Sequence, residues 1–264
     1  MQSGTRPAAV AGSFYPAEAN ILTKMVDGFF SAVTPSEKPR HPKALIAPHA
    51  GYIYSGPTAA CAYALLDADR VKRVVLLGPT HRVLVYGLAL PDVTSFATPL
   101  GDIPLDTEAM QSIESLPQVL TSEKAHAQEH SLEVQIPFLQ RRLKSFTLVP
   151  IAVGQVEHEQ VAEVLDRLWG SDDTLIVISS DLSHYLSYEV AQKVDADTAE
   201  AIVGMQPVIH HEQACGATPV NGLLEAAKVH PLKAELVDLR NSGDTAGDRE
   251  QVVGYGAFAF TENS

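Results

Sequence analysis

Apolar residues in this chain follow two alternating rhythms: short unbroken runs, and positions repeating every three or four residues. The unbroken runs include Ala44-Leu45-Ile46-Ala47, Val74-Val75-Leu76-Leu77 and Leu175-Ile176-Val177-Ile178. Runs this short, without polar alternation, predict strands buried on both faces. Thr174–Ser179 and Phe146–Val153 read the same way, with shorter strands at Leu88–Leu90 and Ile103–Leu105 and closing strands at Ala234–Leu239 and Gly254–Phe260. Helical spacing appears at Asn20–Phe30, where Ile21, Leu22, Met25, Val26, Phe29 and Phe30 share a face. Pro57–Leu66 reads as a helix opened by proline in its first turn, and Asp106 as the N-cap of a helix running to Leu116. Leu132, Ile136, Leu139 and Leu143 form another helix face, with Pro137 bending it or shifting its start. Gln160–Trp169, Tyr188–Gly204 and Pro219–Lys228 complete the helices, and 33–42, with Pro35, Pro39 and Pro42, reads as a loop. This alternation predicts one α/β domain over residues 1–264, with a mainly parallel central sheet flanked by helices.

Composition narrows the function classes. The chain has 264 residues, 45% hydrophobic and 19% charged, which fits a single globular domain with a sizeable core. Its formal net charge of −13 repels phosphate backbones, so nucleic acid is not expected as a partner. No apolar run approaches the roughly 20 residues that span a bilayer. Met1–Pro7 lacks a basic segment followed by an apolar stretch, so no secretory signal is expected. The two cysteines, Cys61 and Cys215, make no disulfide framework and point to a reducing, cytoplasmic location.

Candidate chemistry sits where the strand-like runs end. Three of them break into loops carrying His49, His81 and His184. Parallel strands gather ligand sites at their carboxyl ends, and imidazole is the commonest metal ligand. His49, in Ala-Pro-His-Ala-Gly-Tyr, is either a metal ligand or a loop histidine capping a helix. His81, after Gly78-Pro79-Thr80, reads as a ligand ahead of an exposed turn residue. His184 reads as a general acid/base, with Asp181 three residues earlier to orient its ring. Ser179 and Ser180 lack the Gly-x-Ser-x-Gly elbow of a serine hydrolase. His130, in Gln-Glu-His-Ser-Leu-Glu, reads as a donor to a substrate oxygen and Glu129 as a proton acceptor. On the structural alternative, Ser131 caps a helix and Glu133 is a solvated first-turn acid. Cys215 precedes a helix, a position that lowers a thiol pKa and suits a thiolate ligand or nucleophile; its alternative is a small buried residue. Cys61, in an apolar helical run, reads as core. His41, His126, His158, His210, His211 and His230 receive no role.

The segments 6–16 (Arg-Pro-Ala-Ala-Val-Ala-Gly-Ser-Phe-Tyr-Pro), 47–52, 77–81, 129–139, 179–185 and 215–220, in this order over nearly the whole chain, resemble the Memo-like family, in prokaryotes also called AmmeMemoRadiSam system protein B. That family is similar to the class III extradiol dioxygenases, non-haem iron enzymes that open catechol rings. The resemblance implies a helix-flanked sheet with a metal pocket at its strand ends. By position it implies His49, His81 and Cys215 as metal ligands, and His130 and His184 as pocket histidines acting on substrate. The dioxygenases have a carboxylate where this chain has Cys215. A sulfur there softens the site and admits copper or zinc beside Fe(II). The implied activity is a metal-dependent oxidoreductase acting on a small molecule. The alternatives are a zinc hydrolase, a non-enzymatic module holding a peptide or small ligand, and covalent catalysis by Cys215 with His184. The family name also implies a functional link to AMMECR-type and radical SAM proteins.

Overall fold

The four most apolar runs become the centre of the sheet. They are β2 (Ala44–Ala47), β3 (Arg73–Pro79), β8 (Thr147–Val153) and β9 (Thr174–Ser179). Their side chains are buried on both faces apart from Arg73 and Thr147 at the starts of β3 and β8. Burying one aliphatic side chain completely contributes about 1.5–3 kcal/mol, so truncating Ile176 at the centre costs about 2–5 kcal/mol. The structure, a computed structural model, describes residues 4–34 and 41–262. Pro35 and Pro39 of the expected loop lie outside the described residues.

Around this block run β4 (Leu88–Leu90), β7 (Val119–Thr121), β10 (His184–Leu186), β11 (Leu232–Asn241) and β12 (Val252–Glu262). The sheet order is β10-β12-β2-β9-β3-β8-β4-β7, with β11 along β12. Pairs β2–β9, β9–β3, β3–β8 and β4–β7 are parallel. Pairs β12–β2, β10–β12, β11–β12 and β4–β8 are antiparallel. The sheet is therefore mixed, not mainly parallel. The connection from β11 to β12 is too short for a helical crossover, which forces the closing strands antiparallel. Strands β1 (Thr5–Arg6), β5 (Ser95–Thr98) and β6 (Gly101–Pro104) form a separate small sheet.

Helices α1 (Ala19–Ala32), α2 (Tyr52–Tyr63) and α5 (Ile136–Arg142) pack together. A second group contains α3 (Thr107–Ile113), α6 (His158–Leu168) and α8 (Ala217–Ala226), with α8 lying on β3 and β9. α4 (Glu123–Ala127) is short, and α7 (Tyr188–Val203) packs on β11 and β12. Asp106 caps α3 as expected, accepting from Ala109 N at 2.9 Å. Helix α2 starts earlier than its proline suggested, with Pro57 in its interior. Tyr52 anchors that start: its amide donates to Phe14 O at 2.8 Å and its hydroxyl to Val134 O at 2.7 Å. Among the described residues, no helix is long and apolar enough to cross a membrane.

Candidate metal centre

β2, β9 and β3 are sheet neighbours and release their chains on the same side. His49 follows β2, His81 follows β3, and Ser179 and Asp181 end and follow β9. His130 comes from the loop between α4 and a single 3-10 turn at Glu133–Gln135. Nitrogens of His49, His81 and His130 lie within 4.8 Å of one another. Cys215, just before α8, stands on the flank with Sγ 3.2 Å from His49 Nε2. His184, half-buried at the start of β10, is close enough to act electrostatically on His49. Two close approaches require glycine. A Cβ on Gly78 would come within 2.7 Å of Ser131 Oγ, and one on Gly216 within 2.6 Å of Ser180 Cβ.

Hydrogen-bond counting sets the histidine tautomers. Ser179 Oγ donates its proton to Ser131 O at 2.6 Å and accepts from Gln135 Nε2 at 2.8 Å. Its contact with His49 Nδ1, at 2.9 Å, must then be donated by the imidazole. His49 Nε2 is left with a free lone pair, onto which the Cys215 thiol donates. His81 Nδ1 lies 2.9 Å from the Glu129 carboxylate, which only accepts when ionised. In the neutral form of the His81 ring, this bond leaves Nε2 as the atom with the lone pair. A carboxylate or hydroxyl behind an imidazole, fixing which nitrogen faces inward, is the usual support for a metal-binding histidine.

Electrostatics disfavour protonation of His49 and His130. Burial, then the charges of His81 and His130, holds His49 well below the ordinary histidine range. Burial pulls His130 down to about 4, with Glu129 opposing and His81 assisting. His130 Nδ1 is buried with no hydrogen-bond partner, and the nearest Glu129 oxygen is 3.3 Å away. A buried nitrogen without a partner is costly. Beside two inward lone pairs, it fits a site shaped for a cation.

The two acids stand apart from their expected positions. Asp181 does not reach the His184 ring. Its Oδ1 accepts from His49 N at 2.7 Å, and its backbone carbonyl accepts from Cys215 N at 3.3 Å. It ties the His49 loop to the Cys215 loop. Glu129, not Asp181, is the acid that orients an imidazole, that of His81. It also accepts from the amides of His81 at 2.5 Å, His130 at 3.0 Å and Ser131 at 2.9 Å. Burial pushes Glu129 up, but the His81 ring bond, the His81 charge and these amides hold it at about 2. A carboxylate so committed is a poor proton acceptor. The Cys215 thiol is not activated by α8: burial, then Asp181, pushes it up to about 12.

Sequence reasoning missed the support beneath this loop. Arg6 is buried and donates from Nε to His126 O at 2.6 Å and from Nη2 to Glu129 O at 2.7 Å. Its Nη1 pairs with Glu133 at 2.7 Å. Glu133 is fully buried rather than solvated, and also accepts from Ala9 N, Val10 N and the Tyr15 hydroxyl. Phe14 packs on His130 with ring centroids 4.6 Å apart. His126, given no role, is buried and bonds Ala89 O through Nε2 at 2.8 Å. The recognisable signal was an arginine and an acid inside the two motifs, 6–16 and 129–139.

An α/β sheet whose strand ends gather three histidines able to hold a metal ion defines the class of protein. A family model described as Memo-like protein matches residues 6–259. The chain belongs to the Memo-like family. It is 41% identical to a MEMO1 family protein of Aquifex aeolicus, with 97% of this chain and 98% of that one covered. It is 37% identical to a MEMO1 family protein of Archaeoglobus fulgidus, over 95% and 97% of the two chains. Among solved structures it is similar to the uncharacterized protein JW3007 from Escherichia coli K12. The TM-score is 0.50 at 11% identity, over 82% of this chain and 99% of that one, a likeness of fold alone.

Proposed function

We propose that this Memo-like protein is a cytoplasmic metal-dependent redox protein, a dioxygenase-like enzyme built around Fe(II) and acting on a small molecule. One observation carries the reading: two imidazoles, from the ends of the strands on either side of β9, present Nε2 to a shared space, and a third joins them. His49 and His81 would hold the ion, with Cys215 as third donor. Bound ferrous iron with open positions supplies oxygen activation and one-electron chemistry. The chain's own residues then manage protons and order. Glu129 keeps His81 in its coordinating tautomer, and Ser179 does the same for His49. Asp181 fixes the His49 backbone. His184 is half-buried at the edge of the cluster, and burial lowers its pKa from the ordinary histidine value, so the neutral ring is available to accept a proton from substrate. His130, unprotonated beside Phe14, serves as a hydrogen-bonding partner for a substrate oxygen.

The three-imidazole grouping favours one second reading. Three nitrogens with an open fourth position make a zinc site that activates water. Metal analysis of protein purified with and without oxygen separates the two. Iron or copper, with oxygen uptake alongside a reducing substrate, is expected. Zinc, with hydrolysis undiminished in anaerobic buffer, would replace the redox reading.

A further inference from the structure

A groove of about 660 Å³ opens beside the cluster, with His81 and Cys215 in its wall. That volume lies within the range of small-molecule sites. Val83, Val85, Val153 and Val156 form an apolar wall. Arg82 is the single lysine or arginine lining it. Its side chain is exposed, and among the described residues no ion pair or hydrogen bond ties its guanidinium. It is near enough to His130 to act on it electrostatically. The one carboxylate in the wall, Glu157, is the N-cap residue of α6, with its amide donating to Gln160 Oε1 at 3.4 Å, and the helix dipole there offsets its charge.

We propose that this groove is the substrate subsite and that it takes a small organic carboxylate: the carboxylate on Arg82, the apolar body along the valine wall. The proposal rests on the histidine cluster as the reacting centre. A guanidinium presents paired donors that match a carboxylate in geometry and charge. The chain as a whole is strongly acidic, so its general field repels anions and attraction must be local. An inorganic anion would satisfy Arg82 but leave the valine wall wet.

The test is an amide NMR titration of the full-length, metal-free protein with benzoate, the isosteric benzamide and inorganic phosphate. Benzoate is expected to bind about tenfold tighter than benzamide, the scale of a charge-assisted pair. Arg82→Gln is expected to abolish that preference, and Arg82→Lys to retain part of it. Arg82 is exposed, so its replacement leaves the fold intact. His49→Ala, which removes a proposed metal ligand, is expected to keep the preference in the same titration, which separates this proposal from the metal reading. Equal binding of benzoate and benzamide, no binding of benzoate, or a preference surviving Arg82→Gln would overturn it. Phosphate binding as tightly as benzoate would overturn the apolar body.

Discussion

The loop carrying Glu129 and the loop carrying Asp181 both bring a carboxylate out of water to the same cluster, and they leave it in opposite states. Glu129 is held at about 2 because an imidazole N–H and three amides outweigh its burial. Asp181 is raised to about 7, because burial outweighs the amides of His49 and Ala50 and the charge of His81. Burial alone does not decide a buried acid; a ring N–H donated directly to it does. The Glu129 loop also rests on a buried Arg6–Glu133 pair, whereas Asp181 leans on backbone amides.

The comparison is broken most severely at the base of the Glu129 loop. Glu133→Gln strands Arg6 as an uncompensated buried charge, and urea unfolding should show a loss of about 3–5 kcal/mol. Next come the two acids in metal-free protein. Glu129 has a depressed folded pKa. Its contribution is present above the unfolded value near 4.5 and is lost as pH falls toward 2. Glu129→Gln should therefore cost roughly 3 kcal/mol at pH 7 and progressively less below pH 4.5. Asp181 has a raised folded pKa, so its contribution is full below about 3.8 and is lost as pH rises through 7. Asp181→Asn should become relatively more stabilising over that rise, by up to about 4 kcal/mol. Stability curves with the same sign for both variants would refute the distinction.

Metal affinity should follow the same divide with smaller effects. Removing the carboxylate behind His81, in Glu129→Gln, should weaken binding by about 10–100-fold in a chelator competition. Asp181→Asn keeps an oxygen for the His49 amide, and a change below about tenfold is expected. His184→Gln should leave metal affinity unchanged while altering the pH dependence of turnover.

The fold was legible where burial is two-sided. The runs at 44–47, 74–77 and 175–178 became β2, β3 and β9 because nothing but a central strand suits them. The direction of β11 and β12 was not legible, since the length of their connection and not their composition sets it. Helix α2 was misplaced because tertiary anchoring of Tyr52 overrides the local preference of Pro57. At the site, strand-end logic located His49 and His81. The partners of Asp181 and Glu129 could not be read, because a bond such as Glu129 to His81 joins residues far apart in sequence. The direction of the Cys215 thiol pKa was not legible for a related reason. A helix start suggests a lowered thiol pKa, but neighbouring Asp181 and burial reverse the sign.

The most direct test is metal stoichiometry after anaerobic purification and dialysis, for the wild type and for His49→Ala, His81→Ala and His130→Ala. The account expects a single ion per wild-type chain, lost in His49→Ala and in His81→Ala, with all variants still folded by circular dichroism. Undiminished metal in the folded His49→Ala and His81→Ala proteins would contradict it.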